Sequence, residues 1–259
     1  MRFRPCIDLH NGKVKQIVGS TLSDNSDSAL QINFSSEHPP SFYASMYRQD
    51  NLTGGHVIML GPGSEEAAGN ALLAWPGGLQ VGGGITADNA AYWLEQGATH
   101  VIVTSWVFHN GRLDQQRLQH LVKSVGAKRL VLDLSCRKKD RRYYVVTDRW
   151  QRFTSLDVTP AVLHNLSDYC DEFLIHAVDV EGKSMGLDAE LIALLALDPP
   201  APITYAGGIA TNSDLNTLFG AGRGVLDFTV GSALDIFGGS GLRYQDMVER
   251  YGVRSREKW

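Results

Sequence analysis

Cys6-Ile7-Asp8-Leu9-His10-Asn11-Gly12-Lys13-Val14-Lys15 is the stretch around which the chain is organised. It reads as a short buried strand ending on a carboxylate, then a tight turn at Asn11-Gly12, two residues that both tolerate positive φ. A charge at the carboxyl end of a buried strand is costly, so such an aspartate usually has a partner or a task. The pattern returns 125 residues later as Arg129-Leu130-Val131-Leu132-Asp133-Leu134-Ser135, followed by basic residues and the extended run Tyr143-Tyr144-Val145-Val146.

Two more landmarks repeat with it. Gly82-Gly83-Gly84-Ile85-Thr86 has a counterpart in Gly207-Gly208-Ile209-Ala210-Thr211, with Gly84 and Gly208 124 residues apart. Val103-Thr104-Ser105 matches Val230-Gly231-Ser232, with 127 residues between the serines. Three landmarks in one order at nearly one offset, in a chain of 259 residues, indicate an internal duplication with halves of approximately 1–126 and 127–259.

The rest of the chain fits four βα units per half. Short apolar runs predict strands at 3–9, 56–60, 79–81, 100–104, 129–134, 173–178, 203–206 and 226–231. Several are continuously apolar, as strands buried on both faces are. Helices are predicted between them at 41–50, 64–75, 87–96, 113–125, 159–169, 188–197 and 212–219, with Ser, Thr or Asp at their starts and Gly or Pro beyond their ends. Strands alternating with helices in two equal halves predict an α/β fold, a (β/α)8 TIM barrel forming one domain over 1–259. A doubly wound sheet is the alternative, but it would not need matched halves. The polar segment 20–40, rich in Ser, Asp and Asn, reads as a long loop, either a lid or disordered.

Composition removes several functions. A 43% hydrophobic and 20% charged chain is ordinary for a globular protein, and a net charge of −4 argues against nucleic acid as a partner. No apolar run reaches membrane-spanning length, and the first residues carry no signal-peptide pattern. Cys6, Cys136 and Cys170 have no metal-ligand spacing and cannot all pair, which fits a reducing compartment; the expectation is a cytoplasmic protein, monomeric, with no metal.

Each half supplies a glycine-rich strand-to-helix turn and a small hydroxyl-bearing turn on the next strand. Glycines let the backbone approach a ligand closely, and helix N-termini offer N–H groups to an anion. Gly207, Gly208, Gly231 and Ser232 fall in the loops after strands seven and eight, where barrels commonly hold phosphate. Gly83, Gly84, Thr104 and Ser105 are their duplicates on the opposite side. Two facing cradles suit an elongated substrate with a phosphate at each end; the alternative is that these are only turn residues. Asp8 and Asp133, ending strands one and five, would flank the substrate's middle, where two carboxylates suit general acid–base work. As structural residues they would instead cap turns.

Taken together, the motifs bring a family into view. The chain resembles the histidine-biosynthesis barrel isomerases that act on phosphoribosylformimino-aminoimidazole-carboxamide ribotide, and most of all their fungal-type members. The resemblance rests on Cys-Ile-Asp-Leu-His-Asn-Gly (6–12), Val-Gly-Gly-Gly-Ile (81–85), Val-Ile-Val-Thr-Ser-Trp (101–106), Asp-Leu-Ser-Cys-Arg-Lys (133–138), Leu-Ile-His-Ala (174–177), Asp-Val-Glu-Gly (179–182), Tyr-Ala-Gly-Gly (205–208) and Ser-Ala-Leu-Asp-Ile-Phe-Gly-Gly (232–239). It implies a half-duplicated barrel, a substrate with two phosphates, and an Amadori aldose-to-ketose rearrangement without metal or organic cofactor. It also implies Asp8 as base and Asp133 as acid, and Trp150 as a surface for a flat heterocycle, the alternative being a core or lid-anchor role.

The chain departs from bacterial members in three places. His176 stands where they carry threonine, making it a third candidate catalytic group. Ile58-Met59-Leu60-Gly61-Pro62 replaces their Val-Asp-Leu-Asp, and the 20–40 segment has no counterpart in them. Two rival readings stay open: the sister cyclase, whose hairpin typically reads Gly-Arg-Val-Val-Lys-Gly where this chain has Gly12-Lys13-Val14-Lys15-Gln16-Ile17, and a barrel that binds phosphorylated metabolites without catalysis. In eukaryotes the cyclase is usually fused to a glutaminase domain, for which 259 residues leave no room.

Overall fold

The computed structural model describes residues 1–18, 21, 30–181 and 186–252. Eight parallel strands run in chain order around it: Cys6–His10, Gly55–Met59, Leu79–Gly82, Val101–Val103, Leu130–Asp133, Glu172–His176, Ile203–Ala206 and Asp227–Phe228. Each pairs with the next in parallel register. The ring closes where Phe3 bridges Phe228, with the Arg4 N–H donating to the Phe228 carbonyl at 2.8 Å. The fold is the expected (β/α)8 barrel. Its first ladder starts at Cys6 rather than at residue 3, while Phe3 makes the closing bridge, and the last strand proper is only two residues.

A helix follows every strand: α1 (Pro40–Gln49), α2 (Glu65–Ala74), α3 (Ala90–Glu95), α4 (Gln115–Val125), α5 (Pro160–Ser167), α6 (Ala189–Leu195), α7 (Asn212–Ala221) and α8 (Tyr244–Tyr251). The expected caps operate. Asp114, Thr159, Asp188 and Thr211 accept first-turn N–H groups, and Pro40 and Pro160 sit in the first turn where a missing N–H costs nothing. Three boundaries differ from the sequence reading. α3 begins late because the Asn89 side chain ties the preceding turn, accepting from Thr86 N–H and donating to the Gly84 carbonyl. α7 runs through Gly220, where a side chain would meet open space, and stops at Gly222. α8 is absent from the sequence reading; it buries only Tyr244 and Met247, too short an apolar stripe to stand out.

Antiparallel additions follow the first and fifth strands, and a short hairpin of Phe108–His109 with Arg112–Leu113 follows the fourth. Lys13–Ile17 folds back on the first strand through Asn11 and Gly12, at φ 51° and 74°. Ile32–Ser35 then adds to Lys13–Ile17, so the segment read as loop contains a strand. Residues 22–29 lie outside the described residues, and the question of lid or disorder lies there with them. In the second half Cys136–Lys139, Arg142–Thr147 and Arg152–Asp157 form a separate three-stranded sheet, the counterpart of the first hairpin, where the sequence reading foresaw only the extended run 143–146.

The large apolar core lies between strands and helices. A small second cluster, Ile102, Val131, Leu174 and Ala206 with Ile58 packed on it, fills the inside of the barrel. Beneath that plug is a polar floor. Arg4 is buried there with its guanidinium 3.0 Å from Glu172 and 2.9 Å from Asp227, and Gln80 donates to Glu172 at 2.7 Å. Everything polar above the plug therefore faces the mouth at the carboxyl ends of the strands.

Candidate active site

Strand register fixes the reacting groups. Asp8 sits on the first strand, two residues beyond Cys6 and on the same face. The fifth strand ends on Asp133 and the sixth on His176, with Leu174 in register with Asp133. His176 Nδ1 lies 3.4 Å from Asp133 Oδ1. Asp8, Asp133 and His176 line one cleft at the mouth.

The two aspartates are held differently. Asp8 accepts a hydrogen bond from Gln16 Nε2 at 2.9 Å on the returning hairpin strand, and the Cys6 thiol lies in hydrogen-bonding reach of it. Burial pushes its carboxyl up, and the Gln16 bond and the nearby His176 charge offset this only in part. Asp133 is also pushed up by burial. Here the imidazolium of His176 and hydrogen bonds from His176, Ser135 and Thr104 outweigh burial and bring it below the usual carboxylate value. His176, for its part, is disfavoured as a cation by burial, yet Asp133, Glu181 and Asp8 around it raise it to about 9. Within the Asp133–His176 pair each group favours the charged form of the other. The Asp8 carboxyl has an affinity for a proton above normal.

Each duplicated glycine turn opens into its own lobe of the cleft. Gly83 and Gly84 have φ of 93° and 67°; Gly207 and Gly208 have 113° and 76°. These positions favour glycine sterically as well, since a Cβ on Gly83 would stand 2.0 Å from the Met59 carbonyl oxygen and one on Gly208 2.0 Å from that of Gly186. One lobe is lined by Gly83, Gly84, Thr104, Ser105 and Trp150, the other by Gly207, Gly208, Gly231 and Ser232; Asp8, Gln16, His176 and Glu181 border both. Among the described residues the N–H groups of Gly208, Ile209, Ser232 and Ala233 have no hydrogen-bond partner and are free for an anion. The start of α7 is not free in this way. A capping box between Thr211 and Asp214 occupies it, so this cradle is made of loop amides rather than of the helix end.

The hydroxyls divide their work. Ser232 Oγ accepts from Asn33 Nδ2 at 3.2 Å and Ser105 Oγ accepts from the Asp148 N–H at 3.3 Å, so each serine ties a flanking loop to its lobe. Thr104 Oγ1 donates to Asp133 Oδ2 at 3.1 Å and so belongs with the carboxylate. Trp150 follows Asp148 and Arg149, all three at positive φ, and its ring centroid is 5.8 Å from that of His176. Three successive non-glycine residues in that region are strained, and such strain is kept where the geometry matters.

Sequence reading missed Gln16, Asn33 and Glu181. Gln16 was visible only as one residue of a hairpin; its facing of Asp8 depends on the strand pairing. Glu181 stands within the Asp-Val-Glu-Gly motif, which assigns it no task. Its Oε2 is buried with no hydrogen-bond partner among the described residues, and burial raises its carboxyl above the normal value. Ile58 and Met59, which replace a polar loop in bacterial members, line the cleft with apolar atoms.

The fold and its mouth define a (β/α)8 barrel with a two-lobed cleft at the carboxyl ends of its strands. Comparison with known proteins is specific beyond that: the chain belongs to the histidine biosynthesis protein family, whose model matches residues 2–239. A chloroplastic relative from Medicago truncatula is 56% identical over 96% of this chain and 81% of its own length. One from Neurospora crassa is 50% identical over 96% of this chain and 97% of its own, and one from Saccharomyces cerevisiae 44% over 95% and 96%. All three are named 1-(5-phosphoribosyl)-5-((5-phosphoribosylamino)methylideneamino) imidazole-4-carboxamide isomerase. No helix among the described residues is long and apolar enough to cross a membrane.

Proposed function

We propose that this chain is an isomerase of histidine biosynthesis that converts the aldose of phosphoribosylformimino-aminoimidazole-carboxamide ribotide to a ketose by an Amadori rearrangement. The observation that carries the reading is identity of 44–56% to isomerases along at least 95% of the chain. The geometry supplies the chemistry. One phosphate rests in each glycine lobe, with the heterocycle against Trp150 and the ribose between Asp8 and His176. The His176 imidazolium, oriented by Asp133, protonates the ring oxygen and the ring opens to an iminium. Asp8 then removes the proton from the adjacent carbon, and the enol tautomerises to the ketose. The acid of this reaction is thus the Asp133–His176 pair, with the transferable proton on histidine, a refinement of the role that family resemblance gave to Asp133 alone.

The same reading takes the chain as one barrel domain of two duplicated halves, 1–126 and 127–259, supported by the matching φ values of the two glycine turns. It takes the protein as a cytoplasmic monomer, for which the three buried free thiols argue only as far as a reducing compartment. The sister cyclase is the rival within the family.

A turnover assay separates these readings, because the isomerase consumes the ribotide without ammonia, the cyclase requires ammonia, and a mere binder consumes nothing. A second experiment tests the opposed lobes. Ser105→Asp and Ser232→Asp are each titrated with the bisphosphate and with its two monophosphate fragments. Each lost charge-assisted bond costs on the order of 1.5–3 kcal/mol, roughly ten- to a hundredfold in affinity. Each variant is expected to spare a different fragment; equal weakening of both fragments in folded variants would rule out the arrangement.

A further inference from the structure

At the floor of one lobe the first two strands bring together three side chains that no step of the rearrangement requires as a set. Cys6 and His56 are direct partners in the parallel register of the first and second strands, and Asp8 lies two residues beyond Cys6 on the same inward face. One ligand atom from each, the cysteine sulfur, a carboxylate oxygen and an imidazole nitrogen, lies within 4.8 Å of the others. All three line the lobe that holds Gly207, Gly208, Gly231 and Ser232, so the group is reached from the mouth. Among the described residues Cys6 Sγ lies 3.6 Å from the Val230 carbonyl and 3.8 Å from Gln16 Nε2, with Thr229 and Asp8 also in hydrogen-bonding reach.

We propose that Cys6, Asp8 and His56 form a binding site for a borderline-soft divalent cation of the zinc type, and that a cation held there inhibits the enzyme by taking Asp8 out of service. The donor set selects the metal. Sulfur, nitrogen and one carboxylate in a tetrahedral arrangement suit Zn2+ or Co2+, whereas Mg2+ and Ca2+ require mostly oxygen ligands. A tetrahedral ion at roughly 2.0–2.3 Å from each ligand needs the donors closer by up to about an ångström, which side-chain rotation on two paired strands can provide. The fourth position faces the lobe, open to water. On binding, the Cys6 thiol releases its proton to solvent and Gln16 loses its hold on Asp8. The site is not visible in the sequence because His56 stands 48 positions beyond Asp8 and meets it only through strand register.

The inhibitory half of the proposal rests on the isomerase reading above; the binding half does not, and the experiment separates them. Co2+ is titrated into the substrate-free protein and the near-ultraviolet thiolate-to-cobalt band recorded, alongside Zn2+ inhibition of ribotide turnover and its reversal by EDTA. The expected result is a saturable cobalt band at one equivalent, absent in Cys6→Ala, and zinc inhibition that Mg2+ and Ca2+ do not reproduce. Relative to each variant's own metal-free rate, Cys6→Ala and His56→Gln should each raise the half-inhibitory zinc concentration by at least about tenfold. His56→Gln keeps the thiol, so it tests the site if Cys6→Ala does not fold. A missing cobalt band, a band that survives Cys6→Ala, or equal zinc sensitivity in wild type and folded variants would overturn the site. Were the chain to show no turnover at all, the functional reading would fall and the cobalt titration would still decide the binding.

Discussion

Asp8 and His176 are the two residues whose protonation states carry the proposed chemistry, and both are set by what surrounds them. Removing either carboxylate function should be severe: Asp8→Asn and Asp133→Asn are each expected to lower turnover by at least about a hundredfold, the low end for losing a general acid or base. Substrate should still bind, as calorimetry would show; near-normal turnover in either variant would remove that residue from the mechanism. The pH profile of kcat/KM checks the assignment of the proton. Asp8 must be ionised and its carboxyl is raised by burial, so the acid limb should lie above the usual carboxylate range. His176 must be protonated and is raised to about 9 by Asp133 against the effect of burial, so activity should fall as pH rises through about 9. His176→Gln should lose that alkaline limb. A limb unmoved by the substitution would return the acid's role to Asp133.

The hairpin after the first strand is the element that connects the second lobe to the base. Gln16 reaches Asp8 from Lys13–Ile17, and a Cβ on Gly231 would stand 2.1 Å from Gln16 Oε1. Gly231→Ala should therefore displace Gln16 rather than unfold the barrel, because the clashing atom ends a flexible side chain. We expect kcat to fall about ten- to a hundredfold, the scale for a misplaced catalytic group, with a thermal midpoint close to wild type. A large drop in midpoint at unchanged kcat would show that Gly231 serves packing alone. At this scale the sequence was readable wherever a local signal existed. The Asn11-Gly12 turn, the helix starts at Thr159 and Thr211 and the paired glycine turns were all legible, since each is determined by residues within a few positions of it. The strand at Ile32–Ser35 and helix α8 were not, because both are stabilised by what they pack against and carry weak patterns of their own.

For the barrel as a whole, the closing of the ring depends on a charge buried beneath it. Arg4, on the segment that pairs with the last strand, holds Glu172 and Asp227 from two other strands. Arg4→Met keeps the volume but leaves both carboxylates buried without that cation, although Arg2 still reaches Asp227. Breaking such a buried pair costs about 3–5 kcal/mol, readable in urea unfolding; a loss under about 1 kcal/mol would mean that the floor is held by packing and not by the ion pairs. What the sequence by itself determined is the alternation of eight strands with helices up to the seventh, the repeated landmarks and the identity of the residues at the strand ends, because period, caps and repeats are properties of neighbours along the chain. What only the tertiary structure decided is the contact of His176 with Asp133, the Gln16 hold on Asp8, the burial of Glu181 and the meeting of Cys6 with His56. Each of these depends on distances and burial between residues far apart in sequence, and those are fixed only when the strands take their register and the ring closes.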